Sequence, residues 1–256
     1  MLPLERRNWI EVQIIKYGKV DIEELAKRLD VSTMTIRRDL AELEKLGKVI
    51  RTHGGAISPE SLIRELPYSF KEGKNLEQKK AIAQRAVSLI PKNSRIILDS
   101  GTTTLELAKL LKFRSDLTVV TNDIKIAAEL IESDLHVIVT GGELQNNVGA
   151  LYGGPTIHFL ENTHVEIFFL GANAVDLQFG VSTPTLEKSL IKQLMMNAAE
   201  TTWLLADSSK FGKKAFSSIC PISKLEGIIT DVGLSEDERK RYEREVILHI
   251  EGSGGK

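Results

Sequence analysis

From about residue 76 onward, short apolar runs alternate with helical ones, and no other feature of the chain constrains its fold as strongly. The strand-like runs are 95–99, 117–121, 135–140, 165–170, 202–206 and 227–230. Helical stretches at 105–111, 123–131, 184–199 and 235–247 fall among them. Alternating βα segments predict an α/β fold, a mainly parallel sheet covered by helices, over residues 76–250. In such sheets ligands bind beyond the carboxyl ends of the strands, so the loops that close the runs are the first place to look for a site.

Residues 1–57 have a different pattern. Ile10, Ile14 and Ile15 recur at helical spacing, and Tyr17-Gly18 stops that helix. Asp21 caps a second helix, with Glu24 in capping-box position and Ile22, Leu25, Ala26 and Leu29 on its buried face. A break at Asp30-Val31 follows. Ser32 then caps a third helix that carries Ile36, Leu40, Leu43 and Leu46 and ends at Gly47. Residues 49–57 are two β-prone runs around a glycine turn, a hairpin. Two capped helices about a tight break, followed by a hairpin, predict a winged helix-turn-helix. Its second helix enters the major groove of double-stranded operator DNA. The residues facing DNA are then Ser32, Thr33, Thr35, Arg37 and Arg38, with Lys48, Arg51 and His53 on the wing. Arginine bonds guanine O6 and N7 bidentately or anchors a phosphate. An Arg-Arg pair alone reads as a solvated helix face; the caps, the break and the basic wing together make it a DNA reader.

Residues 58–75, with Pro59 and Pro67, are expected to be a linker, and 251–256, rich in glycine, a flexible tail. The 256 residues carry a formal net charge of -1, so any nucleic-acid footprint is local. Cys220 is the only cysteine, which excludes an internal disulfide and a cysteine-based zinc site. No apolar run approaches the ~20 residues that cross a bilayer, and charges interrupt every apolar stretch of the N-terminus. These features lead us to expect a cytoplasmic protein with no membrane partner, no metal and no cofactor.

Within the α/β segment, Asp99, Ser100, Gly101, Thr102 and Thr103 follow a strand and open a helix. Free N–H groups at a helix start, together with hydroxyls, form a ready anion site, and phosphate is the expected ligand group. The same residues also serve as an ordinary N-cap after a βα turn. Three further polar loops close strands: Thr121-Asn122, Gly141-Gly142, and the stretch from Asp207 to Lys210. Singly each reads as a turn; together they suggest a phosphate pocket with a polar wall for hydroxyls.

Arg6, Ile10, Ile14, Ser32, Thr35, Ile36, Arg37, Arg38, Asp39 and Leu40 stand at the spacings of the DeoR family of bacterial transcription regulators, and residues 49–56 resemble that family's wing. The resemblance runs from about 4 to 231. It takes in the Asp-Ser-Gly-Thr-Thr stretch, Thr121-Asn122, Gly141-Gly142, the Gly171-Ala172-Asn173 segment with Asp176, Glu187, and 207–212. It implies a repressor of sugar-use genes and a sensor domain similar to ribose-5-phosphate isomerase. It also implies a phosphorylated sugar effector touching Asp176 and Glu187 as well, and a structural role for Asp39 such as pairing with an arginine. One departure is Ala174 where the family has glycine; a glycine needed for positive φ or close ligand approach would put the role of Asp176 in doubt. A homodimer or homotetramer suits two-fold DNA half-sites. Three alternatives stand beside this reading. In an isomerase, Asp99, Asp176, Glu187, Asp207 and Lys210 would shuttle a proton, but 171–176 lacks the paired acids such an enzyme needs. A nucleotide switch lacks both glycine-rich phosphate motifs. A constitutive DNA binder would carry a vestigial pocket. The expectation is a regulator and not an enzyme.

Overall fold

The structure, a computed structural model, describes residues 2–52, 54–57 and 68–252. The chain divides into two compact units, Met1–Leu66 and Pro67–Lys256. The first contains α1 (Pro3–Tyr17), β1 (Lys19–Asp21), α2 (Ile22–Leu29), α3 (Thr33–Lys45), β2 (Ile50–Thr52) and β3 (Gly55–Ile57). Its boundaries follow from local chemistry. Gly18 ends α1 in the left-handed conformation, φ 77°, and its N–H bonds Ile14 O. The Asp21 carboxylate accepts from the N–H groups of Glu23 and Glu24 at 2.8 and 3.1 Å, capping α2. Asp30 turns left-handed, φ 51°, and makes the break. Ser32 Oγ then accepts from Thr35 N–H at 3.2 Å and starts α3.

Ile10, Ile14, Ile22, Leu25, Ile36, Leu40, Leu43, Val49 and Ala56 form this unit's core. Ile15 and Leu46, read from spacing with the apolar stripes, are exposed. Ile15 lies about 100° round the helix from inward-facing Ile14, and Leu46 is already the residue capping α3. Two ionised groups enter the core as a pair: Arg6 Nε donates to Asp39 Oδ2 at 2.6 Å, with both residues buried. This joins α1 to the inner face of α3. The hairpin gains a third strand that the sequence pattern did not show, in the order β1-β3-β2. A side chain on Gly55 would place its Cβ 1.9 Å from Val20 O, so only glycine lets β1 and β3 approach.

The second unit contains α4 (Tyr68–Glu72), α5 (Leu76–Val87), β4 (Arg95–Leu98), α6 (Thr102–Leu111), β5 (Thr118–Thr121), α7 (Ile124–Glu129), β6 (His136–Val139), β7 (Glu143–Leu144), β8 (Leu151–Tyr152), α8 (Gly154–Glu161) and β9 (Val165–Gly171). It continues with β10 (Ala174–Asp176), β11 (Gly180–Thr183), α9 (Leu186–Asn197), β12 (Ala199–Leu205), β13 (Ser217–Cys220), β14 (Gly227–Asp231), α10 (Glu236–Glu243) and β15 (Ile247–Glu251). Seven strands form one sheet in the order β15-β14-β12-β9-β4-β5-β6. Every neighbouring pair in it is parallel. Successive residues of a strand feed opposite cores. Ile96, Leu98, Phe169, Leu205 and Ile229 pack with Ile82, Ala86 and Leu107 on one face. Ile97, Phe168, Leu170, Leu204 and Ile228 pack with Ile191 and Met195 on the other. Two buried faces are why these strands read as continuous apolar runs.

Two assignments are corrected. Residues 68–75, assigned to the linker, form α4 and the residue that opens α5; Tyr68 is buried and its N–H bonds Asn147 O. A five-residue helix between charges has too little periodicity to register in the sequence. The rest of the expected linker, 58–67, lies outside the described residues. Glu251, assigned to the tail, is the last residue of β15 and pairs with Asp231; 253–256 also lie outside the described residues. The sequence pattern did not show β15, the antiparallel sheet β10-β11-β13 or the β7-β8 hairpin. These strands are two to five residues long and lack a sustained apolar run.

The chain leaves β4 for β5 and β6 on one side, then returns to β9 on the other. The carboxyl ends of β4 and β9 therefore open a crevice, the place where sheets of this kind hold ligands.

Candidate functional site

In the first unit, α3 turns Ile36, Asp39, Leu40 and Leu43 inward and leaves Ser32, Thr33, Arg37 and Arg38 exposed. Thr35 is half-buried, its hydroxyl 2.9 Å from that of Ser32. Neither Arg37 nor Arg38 has an ion-pair partner among the described residues, so both guanidinium forks are available to a phosphate or a base edge. The two described wing cations are already paired. Lys48 Nζ meets Glu11 at 2.7 Å, and Arg51 meets Glu44 at 3.8 Å while its N–H bonds the same carboxylate at 2.9 Å. These carboxylates reduce the positive charge expected of the wing. His53 lies outside the described residues. The sequence reading missed Met34, 59% exposed on the same outward face; an apolar group there suits a thymine methyl.

In the second unit, the crevice beyond β4 and β9 holds a cavity of about 180 Å³. Its polar lining is Asp99, Ser100, Asn122, Gln145, Thr185, Glu187, Lys188 and Lys192; Ala150, Leu151, Tyr152 and Ile191 supply the remainder. Asp99 is 1% exposed and Lys192 5%, and they form an ion pair. Lys192 Nζ also donates to Gly171 O at 3.0 Å, while Gly171 N–H donates to Asp99 Oδ2 at 2.8 Å. The ends of β4 and β9 and the middle of α9 are thus tied by one buried charged cluster. Ser100 Oγ donates to Asp123 Oδ2 at 2.9 Å, and burial lifts the Asp123 carboxyl above its ordinary pKa. Asn122 is clamped to β8 from both sides. Leu151 N–H bonds Asn122 O at 2.7 Å, and Asn122 Nδ2 donates to Leu151 O at 3.0 Å.

Gly101 precedes α6 with extended backbone, φ 173°, so its conformation does not itself demand glycine. Thr102 and Thr103 occupy the first turn, half-exposed, where helix N–H groups have no intrahelical partner. Thr104 Oγ1 holds the turn by donating to Asp99 O and Gly101 O at 2.7 and 2.9 Å.

Asp207 and Lys210 do not line the cavity; they belong to a cluster at the carboxyl end of β12. Asn75 Nδ2 donates to Asp207 Oδ1 at 2.8 Å. Burial works against the ionised Asp207, yet Lys210 with the Ser209 and Asn75 hydrogen bonds holds its carboxyl below the ordinary value. Burial also lowers Lys210. Lys79, buried on α5, is drawn down to about 8 by burial, against the pull of Asp207 and with the repulsion of Lys210.

Four expected effector residues are elsewhere. Thr121 Oγ1 is buried and donates to Leu98 O at 2.8 Å, tying β5 to β4. Gly141 O accepts from Thr156 Oγ1 at 2.6 Å, and a Cβ on Gly142 would lie 2.2 Å from Tyr152 O, so this pair serves packing around β8 and α8. Asp176 closes the β10–β11 turn by accepting from Gln178 and Phe179 N–H at 3.0 and 2.8 Å. Ala174 sits in β10 without positive φ and pairs with Ser182, so alanine meets no backbone strain there. The cavity therefore gathers Asp99, Ser100, Asn122 and Glu187 from the sequence reading and adds Lys192. Both overlooked lysines carried a signal. Lys79 falls on the stripe of Ile82, Ala83 and Ala86, and Lys192 on that of Ser189 and Met195, positions where helical period calls for an uncharged residue.

Among the described residues, no helix is long and apolar enough to cross a membrane, and no group of three His, Cys, Asp or Glu could hold a metal ion. Residues 6–62 match the DeoR-like helix-turn-helix domain, and residues 74–232 match the DeoR C terminal sensor domain. The chain is 38% identical over 252 residues to the HTH-type transcriptional regulator GlpR of Haloferax volcanii, covering 98% of this chain and 99% of that protein. It is 31% identical over 232 residues to the glycerol-3-phosphate regulon repressor of Escherichia coli, covering 90% and 92%. A solved ribose 5-phosphate isomerase from Methanocaldococcus jannaschii is similar at 17% identity, covering 54% of this chain and 55% of that one, with a TM-score of 0.41; so distant a likeness says nothing about chemistry. With an outward-facing pair of arginines on the helix after the turn, a three-stranded sheet beside it, a parallel-sheet unit with a polar crevice, and regulators matching nearly end to end, this chain belongs to the DeoR family of DNA-binding transcription regulators.

Proposed function

We propose that the chain is a repressor of sugar-metabolism genes whose operator binding is controlled by a phosphorylated sugar, acting as a homo-oligomer. The observation that carries this reading is the polar cavity at the switch point between β4 and β9, next to the first turn of α6. The α6 N-terminus with Thr102 and Thr103 suits a phosphate. The cavity lining suits hydroxyls. Lys79, Asp207 and Lys210 supply further charge at a neighbouring strand end. Three of the four carboxylates named for an isomerase are engaged: Asp99 by Lys192 and Gly171, Asp176 by its own turn, and Asp207 by Asn75 and Ser209. The relative named for a glycerol-3-phosphate regulon is consistent with a phosphorylated polyol or sugar.

Regulation needs two states with different operator affinity and an effector that prefers one. Moving such a switch from 1:99 to 99:1 takes about 10⁴-fold differential affinity. A gel-shift titration with candidate sugar phosphates tests the reading. Release of operator DNA by one of them, with matching calorimetric binding, supports it; operator binding indifferent to the whole panel refutes it.

A further inference from the structure

The outward face of α3 is centred on an apolar side chain. Ile36, Asp39, Leu40 and Leu43 mark the inner side of this helix. At about 100° per residue, the direction opposite to them passes within about 10° of Met34, with Arg38 about 40° to one side and Arg37 about 60° to the other. Met34 is 59% exposed and stands in the first turn, the part of a reading helix that reaches base edges. The polar groups of that turn are committed or turned aside. The hydroxyls of Ser32 and Thr35 face each other at 2.9 Å, and Ser32 Oγ also accepts from Thr35 N–H. Thr33 lies about 100° round the helix from Met34. The first turn therefore meets the groove with a thioether chain flanked by two guanidinium groups.

A single exposed apolar side chain is ordinary on a protein surface. What distinguishes Met34 is what stands opposite it. The base edges of the major groove offer acceptors at N7, O6 and O4, amino donors, and one apolar group, the 5-methyl of thymine. An apolar chain laid over an acceptor or donor displaces its water and returns no hydrogen bond, which costs affinity. Laid over the methyl, it removes apolar surface from water on both partners. Methionine is unbranched with three rotatable bonds, so it can reach the groove floor from the helix. Arg37 and Arg38 follow it by three and four positions. That is a rise of about 4.5–6 Å, no more than about two base-pair steps.

We infer that Met34 is a specificity-determining residue of the reading head, selecting its operator by contact with the 5-methyl group of one thymine in each half-site. That thymine lies within about two base pairs of the position held by Arg37 or Arg38. The inference rests on α3 being the helix that enters the major groove, and it gives that helix a feature the arginines cannot read. It is independent of any effector.

The test uses the full-length protein and the duplexes it selects from a random-sequence pool. Wild-type selection should hold one thymine fixed in each half-site. The thymines of the selected duplex are then replaced one at a time by deoxyuridine, which pairs identically and lacks only the methyl group. In gel-shift titrations one replacement per half-site should weaken binding about 3- to 5-fold, the worth of one buried methyl group, and the others should leave it unchanged. Met34→Ala should bind the thymine and deoxyuridine duplexes alike and lose the fixed thymine on reselection. Met34→Leu, which keeps an apolar chain of similar volume, should keep the preference. A less stable head would weaken every duplex together and leave the thymine-to-deoxyuridine ratio intact, so the ratio separates recognition from structure. No fixed thymine, no deoxyuridine effect, or an effect that survives in Met34→Ala overturns the inference. Arg37→Ala and Arg38→Ala test the underlying reading separately. If they lose operator affinity while the methyl group proves irrelevant, α3 reads DNA without Met34. If both keep wild-type affinity, α3 is not the reading helix and the inference falls with it.

Discussion

Replacing Asp39 with alanine should unfold a measurable share of the DNA-reading heads without touching the DNA-facing surface. Asp39 is on the inner side of α3 and its carboxylate meets Arg6 at 2.6 Å, the side chains 8% and 11% exposed. Its removal leaves a guanidinium buried without a counter-charge, which costs about 3–5 kcal/mol. A head of this size, at 0.05–0.15 kcal/mol per residue, is stable by only about 3–8 kcal/mol. Taking ~5 kcal/mol as its stability, a loss of ~4 raises the unfolded fraction from roughly 2 × 10⁻⁴ to about 15% at 25 °C. Amide-exchange protection of α3 should fall about 10³-fold. Operator affinity, reduced only by the share of competent heads, should drop about 1.2-fold per head at that temperature. Exchange mass spectrometry on the intact protein, with a gel shift alongside, reads both numbers. Arg6→Met with Asp39→Leu, which removes both charges, should recover most of the protection. Protection within about 5-fold of wild type in the single variant would refute the reasoning, as would a large affinity loss with the head still protected.

Arg37→Ala or Arg38→Ala should give the complementary result in the same assays: unchanged α3 protection, with about 1–3 kcal/mol of operator affinity lost and the loss confined to one base position if the contact is to guanine. Lys192→Met strands Asp99 in the crevice at about 3–5 kcal/mol, so calorimetric unfolding of the sensor should move down by roughly 6–20 °C; a shift under 2 °C would deny the pair its structural role. The Lys79 amine, lowered from 10.5 to about 8, is half neutral near pH 8. If the effector's phosphate binds beside it, binding takes up protons there and affinity declines above pH 8; calorimetry in buffers of different ionisation enthalpy measures the uptake, and none at pH 8 counts against that placement. On stability the sign is the reverse. Between about 8 and 10.5 the unfolded chain holds a proton that the folded one lacks, so this lysine contributes increasing stability as pH rises through that window.

What could be read directly from the sequence was whatever chemistry acts over three or four residues. Asp21 and Ser32 cap helices because their oxygens reach N–H groups two or three positions on, and Gly18 and Asp30 end them through their own φ angles. The alternation of apolar runs told strands from helices, and with them the α/β class and the separate head. The arginines of α3 were legible because their outward direction follows from the period of the helix alone. Strand order was decided only by the tertiary structure, and with it the meeting of Asp99 with Lys192, 93 positions apart; that the arginine paired with Asp39 is Arg6, 33 positions away, was decided by the packing of α1 on α3. The same holds for Asn122, whose partner Leu151 on β8 is 29 positions away. Local pattern says that a strand is buried on both faces; it says nothing about which strand lies beside it, because any of these apolar runs satisfies the same hydrophobic requirement. The crevice exists where the chain reverses direction across the sheet, and that reversal is a property of the packed whole.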